Sequence, residues 1–355
     1  MKKIAKTIGK IVKWIMIAIA VIILLLFIVR AIGKAYYNRT PQGGINESMY
    51  VEINGTKQWI SIYGEDINNP VLLYLHGGPG SSTSTYDYEF TRKWADVYTV
   101  VTWDQRNCGK SYSKGQNDTE LTYELLMSDG IEMTKYILEY LEKDKITLLG
   151  HSWGSYYGCN LVLEYPEYYE AYIGTGQLVD FCENETAFKE AASKWVSEDD
   201  EEGLALLKRL NVDNYTGDYY AARNSLMIKY GYDMFADGTD YNLYAVQYFN
   251  PYYSLSDFIN YINADGTVYM EFLSSEEFNK FSLAGRYEYQ VPYFNINGDK
   301  DYQTNYLIAQ DYFDEIKAPN KKMYIMENTT HGLLESKLED FSEILYEIAE
   351  INNSR

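Results

Sequence analysis

One serine of this chain lies in a sequence setting that could make it a nucleophile. Residues 150–154, GHSWG, match the pattern G-x-S-x-G, with Ser152 at its centre. An apolar run suited to a buried strand, Ile146–Leu149, precedes the pattern, and Ser155–Glu164 has the composition of a helix. A strand, a tight turn and a helix in this order lift a serine Oγ clear of the sheet. We expect both glycines of the pattern to be required, because side chains there would collide with the neighbouring strand and helix.

A serine hydroxyl is a weak nucleophile and needs a neighbouring general base. The sequence contains three histidines. His151 adjoins Ser152 in the strained turn, so we expect its ring to point elsewhere. His76 follows a predicted strand in a glycine-rich turn and is expected to brace that loop. His331 is the only histidine after the serine, and hydrolases built on such a turn carry their residues in the order serine, acid, histidine. We therefore predict His331 as the base.

The acid partner of the base should lie between the serine and His331, on a loop at the end of a strand. Val291–Asn297 is a predicted strand, and Asp299 and Asp301 follow it closely. The acid must hold the imidazole in one tautomer and stabilise its protonated form. We prefer Asp301 for this role. The alternative residue, Asp299, suits a role in shaping the turn.

Acyl transfer also requires N–H donors directed at the developing oxyanion. Residues 76–80, HGGPG, follow a predicted strand and contain three glycines. We predict the backbone N–H groups of Gly78 and Trp153 as the donor pair, since Trp153 directly follows the nucleophile. The alternative is that the glycines form only a tight turn.

The N-terminal segment has a composition typical of a membrane anchor. The first 39 residues contain eight basic residues and no acidic one. Residues 11–32 form an apolar segment of 22 residues, in which Lys13 and Arg30 can snorkel. At about 1.5 Å per residue this segment crosses a hydrocarbon core of roughly 30 Å. The alternative is a signal peptide, but no clear small-residue cleavage site follows.

The distribution of charge predicts the orientation and excludes one class of partner. Five lysines precede the uncharged core of the apolar segment and three basic residues follow it. This favours a single-pass protein of the cell membrane with its N-terminus inside and its catalytic part extracytoplasmic. The other 316 residues hold 23 basic and 51 acidic residues, a net charge of −28. So acidic a body should repel phosphate, and we expect no binding to nucleic acid.

Apolar strand-like runs alternate with helical segments along the body. The Asn54-Gly55 dipeptide predicts a β-hairpin between the first two runs. The alternation predicts a mainly parallel sheet covered by helices on both faces. The predicted strands are Tyr50–Ile53, Trp59–Tyr63, Val71–Leu75, Tyr98–Trp103, Ile146–Leu149, Ala171–Thr175, Val291–Asn297 and Lys322–Met326.

An acidic, helix-like stretch without strand signals interrupts this alternation and is interpreted as a lid. The predicted organisation has six parts, from the N-terminus onward. They are a cytoplasmic basic stub (1–10), a transmembrane anchor (11–32), a linker (33–48), the first part of the core (49–179), a helical cap (180–290) and the second part of the core (291–355).

Three motifs together resemble the proline iminopeptidase family of α/β-hydrolases: HGGPG at 76–80, DQRNCGKS at 104–111 and GHSWGS at 150–155. The resemblance covers Tyr50 to about Gln177 and the part from Val291 onward. It implies the α/β-hydrolase fold, with a mostly parallel eight-stranded sheet and an inserted helical cap. It also implies an oxyanion role for the HGGPG loop. Asn107 stands where the family usually has glycine, and asparagine tolerates positive φ. By the same resemblance Ser152 is the nucleophile, His331 the base and Asp301 the acid.

The cap departs from the family pattern. Family aminopeptidases bind the free amine of the substrate with cap glutamates, one commonly in a Trp-x-x-Trp-Glu motif. Here Trp195 is the only tryptophan after Trp153, and that motif is missing. Glu183 and Glu185 are the candidate substrate-binding residues. The alternative is that they belong to a solvated acidic face.

These observations predict a membrane-anchored serine hydrolase that removes an N-terminal residue from short peptides through an acyl-enzyme. An esterase or amidase that uses the same three residues on small acyl substrates is the alternative within the same class. A catalytically silent surface binding module is the alternative outside it. The substrate is therefore a small peptide or an acyl compound, and no metal or organic cofactor is implied.

Overall fold

Eight strands form one sheet in the computed structural model, which describes residues 2–113, 120–235 and 241–353. Across the sheet their order is β1-β2-β4-β3-β5-β6-β7-β8. The first two pairs in this order are antiparallel and the others parallel, which confirms the predicted mostly parallel eight-stranded sheet. The strands are β1 (Ile45–Ile53), β2 (Thr56–Gly64), β3 (Val71–Leu75), β4 (Thr99–Asp104), β5 (Ile146–His151), β6 (Tyr169–Thr175), β7 (Tyr293–Gly298) and β8 (Lys321–Met326).

Helices cover both faces of the sheet, as parallel strands require. On one face α2 and α13 contribute Phe90 and Phe341 to an apolar cluster, and on the other α3 and α4 contribute Ile137 and Tyr157 to a second. The described helices are α1 (Lys2–Tyr37), α2 (Tyr88–Lys93), α3 (Tyr123–Tyr140), α4 (Trp153–Glu164), α5 (Phe181–Trp195), α6 (Glu201–Leu207), α7 (Gly217–Tyr230), α8 (Leu243–Phe249), α9 (Leu255–Ile262), α10 (Thr267–Leu273), α11 (Tyr306–Glu315), α12 (Leu333–Ser336) and α13 (Leu338–Asn353).

The predicted hairpin joins β1 to β2. Asn54 and Gly55 both have positive φ, 46° and 76°. A two-residue turn of this kind matches the right-handed twist of the flanking strands, which is why an Asn-Gly pair favours it. The hairpin places β1 at the edge of the sheet, away from the parallel strands β5, β7 and β8.

Helices α5 to α10 lie between β6 and β7 and form the insertion expected to act as a lid. The first two helices of the insertion, α5 and α6, are separated by a short break. Val196 leaves the helical conformation after α5, and Asp200 accepts a hydrogen bond from the N–H of Gly203, so that it caps α6. The insertion contributes Tyr261 and Tyr269 to the cavity above Ser152.

The N-terminal helix is longer than expected and is attached to the cap. It continues to Tyr37 and β1 begins at Ile45, so the predicted linker 33–48 is largely helix and strand. A Cβ atom at Gly33 would overlap the ring of Phe249. This close approach, which only glycine allows, packs α8 directly against α1.

Arg30 does not snorkel, contrary to our expectation. Its side chain is buried against the cap, and its guanidinium donates to the backbone carbonyls of Tyr248 and Tyr253, both at 2.7 Å. Sequence periodicity could not reveal this partner, because the two carbonyls lie more than 200 residues further along the chain. The contact fixes the cap at one height along α1.

A buried ion pair joins three parts of the core. Asp129 of α3 accepts two hydrogen bonds from Arg106, each 2.7 Å, and both side chains are almost fully buried. Gln58 of β2 and Asn54 of the hairpin turn also donate to the same carboxylate, each at 2.8 Å. The carboxylate therefore connects the hairpin, the loop after β4 and α3.

We predict that Arg106→Leu lowers the free energy of unfolding by about 3–5 kcal/mol, because it leaves the Asp129 carboxylate buried without its cation. Urea unfolding of the full chain in detergent micelles measures this. The control is Lys135→Leu, which breaks a half-exposed pair with Glu132 and should change stability by about 1 kcal/mol or less. Equal effects of the two variants would contradict a structural role for the buried pair.

Candidate active site

Ser152 lies in a strained turn between β5 and α4, with φ 57° and ψ −122°. A Cβ atom at Gly150 would overlap the carbonyl oxygen of Gly154, and one at Gly154 would overlap that of Leu75. The expected crowding at both glycines is therefore confirmed. Because strand and helix approach so closely, the chain between them must turn sharply, and the side chain of Ser152 faces the cavity below the cap.

His331 and Asp301 are hydrogen-bonded partners. Nδ1 of His331 lies 2.7 Å from Oδ2 of Asp301, and both side chains are buried. His331 follows β8 and Asp301 follows β7, so the pair depends on the carboxyl ends of two adjacent parallel strands. The other carboxylate oxygen, Oδ1, accepts the backbone N–H groups of Gln303 and Thr304, each at 2.9 Å. These donors hold the carboxylate in place.

Asp299, the alternative acid, has a different partner. Its Oδ1 accepts the backbone N–H of Thr329 at 3.1 Å, and its own N–H donates to the carbonyl of Met326. Asp299 therefore joins the loop after β7 to the loop after β8. The structure brings Asp301, and not Asp299, to the imidazole of His331.

His331 and Ser152 line the same cavity, whose volume is about 700 Å³. Nε2 of His331 is buried and makes no hydrogen bond to any described residue. Since Nδ1 is engaged by Asp301, Nε2 is the nitrogen available to take and return a proton.

His151 lies closer to His331 than expected. Its ring packs on that of His331, with 4.6 Å between centroids, and it lines the same cavity. Burial, and then the proximity of His331, lower the pKa of His151 well below its ordinary value. Burial thus favours the neutral form of His151 beside the imidazole of His331.

The loops that contain the other two motifs, HGGPG and DQRNCGKS, are bonded to each other and to Trp153 beside the cavity. Nε2 of His76 accepts the backbone N–H of Gln105 at 3.2 Å, as expected of a residue that braces its loop, and burial lowers the pKa of His76 to about 4. Oε1 of Gln105 in turn accepts the indole N–H of Trp153 at 3.3 Å. Asn107 adopts φ 58°, the positive value that the family's glycine suggested.

Gly78 and Trp153 belong to the two backbone segments next to the serine. Gly78 lines the cavity with φ 116°, and a Cβ atom on the preceding Gly77 would lie 3.1 Å from Cβ of Ser152. Trp153 is the first residue of α4, where backbone N–H groups have no partner within the helix. Both predicted donors thus belong to backbone segments that border Ser152.

The structure does not bring Glu183 and Glu185 to the cavity. Glu183 is exposed and borders a separate cleft beside Asp311. Glu185 is buried, but it is paired with Arg223, whose Nε lies 2.8 Å from its Oε2. Arg223 also donates to the carbonyl of Gln303 at 2.8 Å, next to the backbone that holds Asp301. Glu185 therefore supports the acid loop, and its charge is already neutralised.

Glu335 is a carboxylate of the cavity that sequence reasoning missed. It lies on α12, four residues after His331, and is only 6% exposed, with Oε2 making no hydrogen bond to any described residue. Burial raises the pKa of Glu335 to about 7. The only sequence signal was its place four residues after the predicted base, and helical periodicity could not have placed it, because α12 begins after His331, at Leu333.

Fold and site together define a hydrolase with a serine at a strand–helix elbow. The sequence profile described as the alpha/beta hydrolase fold matches residues 70–338, and the chain belongs to that family. The class of enzyme is therefore a serine hydrolase, as the motifs predicted.

Several relatives with known names are similar to this chain in sequence or in fold. The probable aminopeptidase YbaC of Bacillus subtilis (strain 168) is 28% identical over 303 residues, 79% of this chain and 89% of that protein. The proline iminopeptidase of Clostridioides difficile (strain 630) is 32% identical over 174 residues, 48% of this chain and 56% of that protein. A solved proline iminopeptidase-related protein from Thermus thermophilus shares the fold, with a TM-score of 0.61 at 19% identity, over 87% of this chain and 98% of that one.

The raised pKa of Glu335 predicts a specific pH dependence of stability. The unfolded chain releases this proton near pH 4.5, whereas the folded chain holds it to about pH 7. The native state therefore binds more protons between these values, and the contribution of Glu335 to stability falls as the pH rises through this window. Glu335→Gln should remove that loss, so that its stability relative to the wild type grows by about 2–4 kcal/mol from pH 4.5 to pH 7.

Urea unfolding of the detergent-solubilised chain at pH 4.5, 5.5, 6.5 and 7.5 measures this difference. Glu343→Gln, which changes an exposed carboxyl on α13, is the matched control and should follow the wild type at each pH. The same profile for both variants would show that Glu335 ionises normally in the folded chain.

Proposed function

We propose that this chain is a membrane-anchored serine aminopeptidase that acts on short peptides. The observation that carries the proposal is the convergence, in one cavity, of a serine at a strained elbow and a histidine bonded to a buried aspartate. This arrangement supports Ser152 as nucleophile, His331 as general base and Asp301 as the acid that orients it.

The reaction follows from these positions. Ser152 Oγ attacks the carbonyl of the N-terminal residue while Nε2 of His331 accepts its proton. The imidazolium, stabilised by Asp301, then returns the proton to the leaving amine. The N–H groups of Gly78 and Trp153 stabilise the oxyanion. Water, deprotonated by His331, releases the acyl group from Ser152 and regenerates the serine.

Recognition of a free amine requires a desolvated carboxylate without a basic partner. Glu335 meets this requirement in the cavity, whereas Glu183 and Glu185 lie elsewhere. An ammonium group beside Glu335 would favour its charged form and offset the effect of burial on its pKa. The names of the relatives, an aminopeptidase and a proline iminopeptidase, support this substrate class.

An esterase or amidase is the second candidate function, because the described cap residues that line the cavity are mostly uncharged. Among the described cap residues that line the cavity are Ile262, Met270 and Leu273. The cap carboxylate at this cavity, Asp265, already accepts hydrogen bonds from the N–H and hydroxyl of Thr267. A cap of this composition suits an apolar acyl or leaving group as well as a peptide.

Helix α1 is the proposed anchor. It is long and apolar enough to cross a membrane, with a mean hydropathy of 3.2 in its most apolar part, and only 6% of that part is buried by the rest of the chain. The lysines that precede its core favour an N-terminus inside and a catalytic body outside the cell membrane.

The proposed catalytic residues should act as one unit. Ser152→Ala, His331→Ala and Asp301→Asn should each lower kcat by about 10⁴-fold or more without unfolding the chain, and double variants should lose little more. Asp299→Asn is the matched control, because it removes a charge two residues away that does not touch the imidazole. An inactive Asp299→Asn beside an active Asp301→Asn would reverse the assignment of the acid.

Substrate specificity distinguishes the two candidate functions. The wild type should cleave aminoacyl arylamides with a free amine better than their N-acetylated forms or short-chain aryl esters. Glu335→Gln should lose about 2–5 kcal/mol of transition-state stabilisation with the free-amine substrates and little with the blocked ones. Glu183→Gln, an exposed carboxyl away from the cavity, is the control and should match the wild type. Equal turnover of free and blocked substrates by the wild type would favour the esterase.

A further inference from the structure

The part of the cap nearest to α1 carries an exposed apolar surface. We call helices α8 and α9 with their connection, residues 243–262, the cap tip. Leu255, Ile259 and Ile262 of α9 are 52%, 60% and 77% exposed, and Tyr244 of α8 is 85% exposed. No described residue covers these side chains, although the same chain buries most of the large apolar groups of its sheet and flanking helices.

The exposed side chains of α9 form one stripe. Leu255, Ile259 and Ile262 recur at helical spacing and therefore share a face. The polar residues Ser256, Asp257 and Asn260 fall on the other side of the helix, and Asp257 lies 3.5 Å from the ammonium of Lys110. Such a helix, with a dense apolar face and a polar one, is typical of segments that lie in a membrane interface.

The cap tip is held at a definite height on α1. The guanidinium of Arg30 donates to two cap carbonyls, Lys34 donates to the carbonyl of Tyr253 at 2.7 Å, and the hydroxyl of Tyr248 donates to the carbonyl of Leu26. Directly below these bonds an apolar cleft separates the two elements. Ile23, Leu26 and Phe27 line it on the side of α1, and Tyr244, Leu255 and Ile262 line it on the side of the cap tip.

This height lies inside the apolar span of α1. Leu26 is six residues and Ile23 nine residues before Ile32, the end of that span, so the cleft lies about 9–13 Å below it at 1.5 Å per residue. If α1 crosses a hydrocarbon core of roughly 30 Å, the side chains that face Ile23 and Leu26 lie at the depth of the acyl chains. Isoleucine and leucine side chains exposed to acyl chains are in a favourable apolar environment, whereas their exposure to water costs hydration free energy.

We propose that the cap tip is immersed in the lipid leaflet at the carboxyl end of α1, through Tyr244, Leu255, Ile259 and Ile262. The occupant of this surface is the bilayer itself, because the stripe lies beside the apolar span of α1, across an apolar cleft that both elements line. The inference rests on the proposed membrane anchoring of α1, although not on the type of bond that the enzyme cleaves.

The active site then opens at the membrane surface. Ile262 lines both the cleft against α1 and the cavity that contains Ser152. One residue of the immersed stripe therefore borders the substrate cavity. Substrates that partition into the interface, such as peptides or acyl compounds with an apolar tail, reach the cavity along the side of the cap that touches lipid.

Depth-dependent quenching in the full chain tests the proposal. Cys108 and Cys159 are buried, and Cys182→Ser removes the exposed thiol, so single cysteines can be labelled with an environment-sensitive fluorophore. Ile259→Cys reports on the cap tip. Ile228→Cys on α7 is the matched control, since Ile228 is similarly exposed, at 67%, outside the cap tip. Ile19→Cys in α1 reports on the anchor.

The labelled chains are placed in phosphatidylcholine vesicles with and without lipids that carry a nitroxide on the acyl chain. We expect nitroxide lipid to reduce the fluorescence at positions 19 and 259, while aqueous iodide reduces it only at position 228. Quenching by nitroxide lipid at 19 but not at 259 would overturn the immersed cap tip and leave the anchor intact. Protection of 259 from both quenchers would assign the stripe to a protein contact, which also overturns the proposal. No lipid quenching at 19 would instead overturn the anchor itself, and the inference with it.

Discussion

The close approach of β5, β3 and α4 around Ser152 is the constraint on which the site depends. With φ 57° and ψ −122° the serine occupies a sparsely populated conformation, which costs on the order of 1–3 kcal/mol. The surrounding packing maintains this conformation, because Gly150 and Gly154 let backbone meet backbone where any Cβ would clash. The rest of the sheet and its two apolar clusters supply the stability that offsets the strain.

The other reacting groups are held by the loops at the same edge of the sheet. Asp301 and His331 follow neighbouring parallel strands, so their 2.7 Å contact depends on the register between β7 and β8. The buried ion pair of Glu185 and Arg223 then fixes the acid loop from the side of the cap. Core and cap are thus coupled through the backbone carbonyl of Gln303, and a change in the cap pair should reach Asp301 through this loop.

Low dielectric in the cavity has two opposite effects on its titratable groups. It lowers the pKa of His151 well below its ordinary value, which favours the neutral ring. It also raises the pKa of Glu335 to about 7, so that a carboxyl group that titrates near neutrality lies in the same cavity as the base. In the proposed function, a cationic substrate group would favour the charged form of Glu335, and a neutral substrate would leave its pKa raised. One residue therefore links substrate charge to the electrostatics of the site.

Local sequence patterns determined the strands, the hairpin at Asn54, the elbow at Ser152 and the apolar α1, because period, turn chemistry and glycine spacing act over a few residues. Only the tertiary structure decided the partners. Asp301 is paired with the imidazole of His331, whereas Asp299 bonds to the loop after β8. Arg30 is buried against carbonyls of the cap. Glu335, and not the predicted cap carboxylates, lines the cavity. Each of these outcomes depends on groups far apart in the chain, whose distance is set by strand register and by the packing of the cap. Local composition carries no information about such distances.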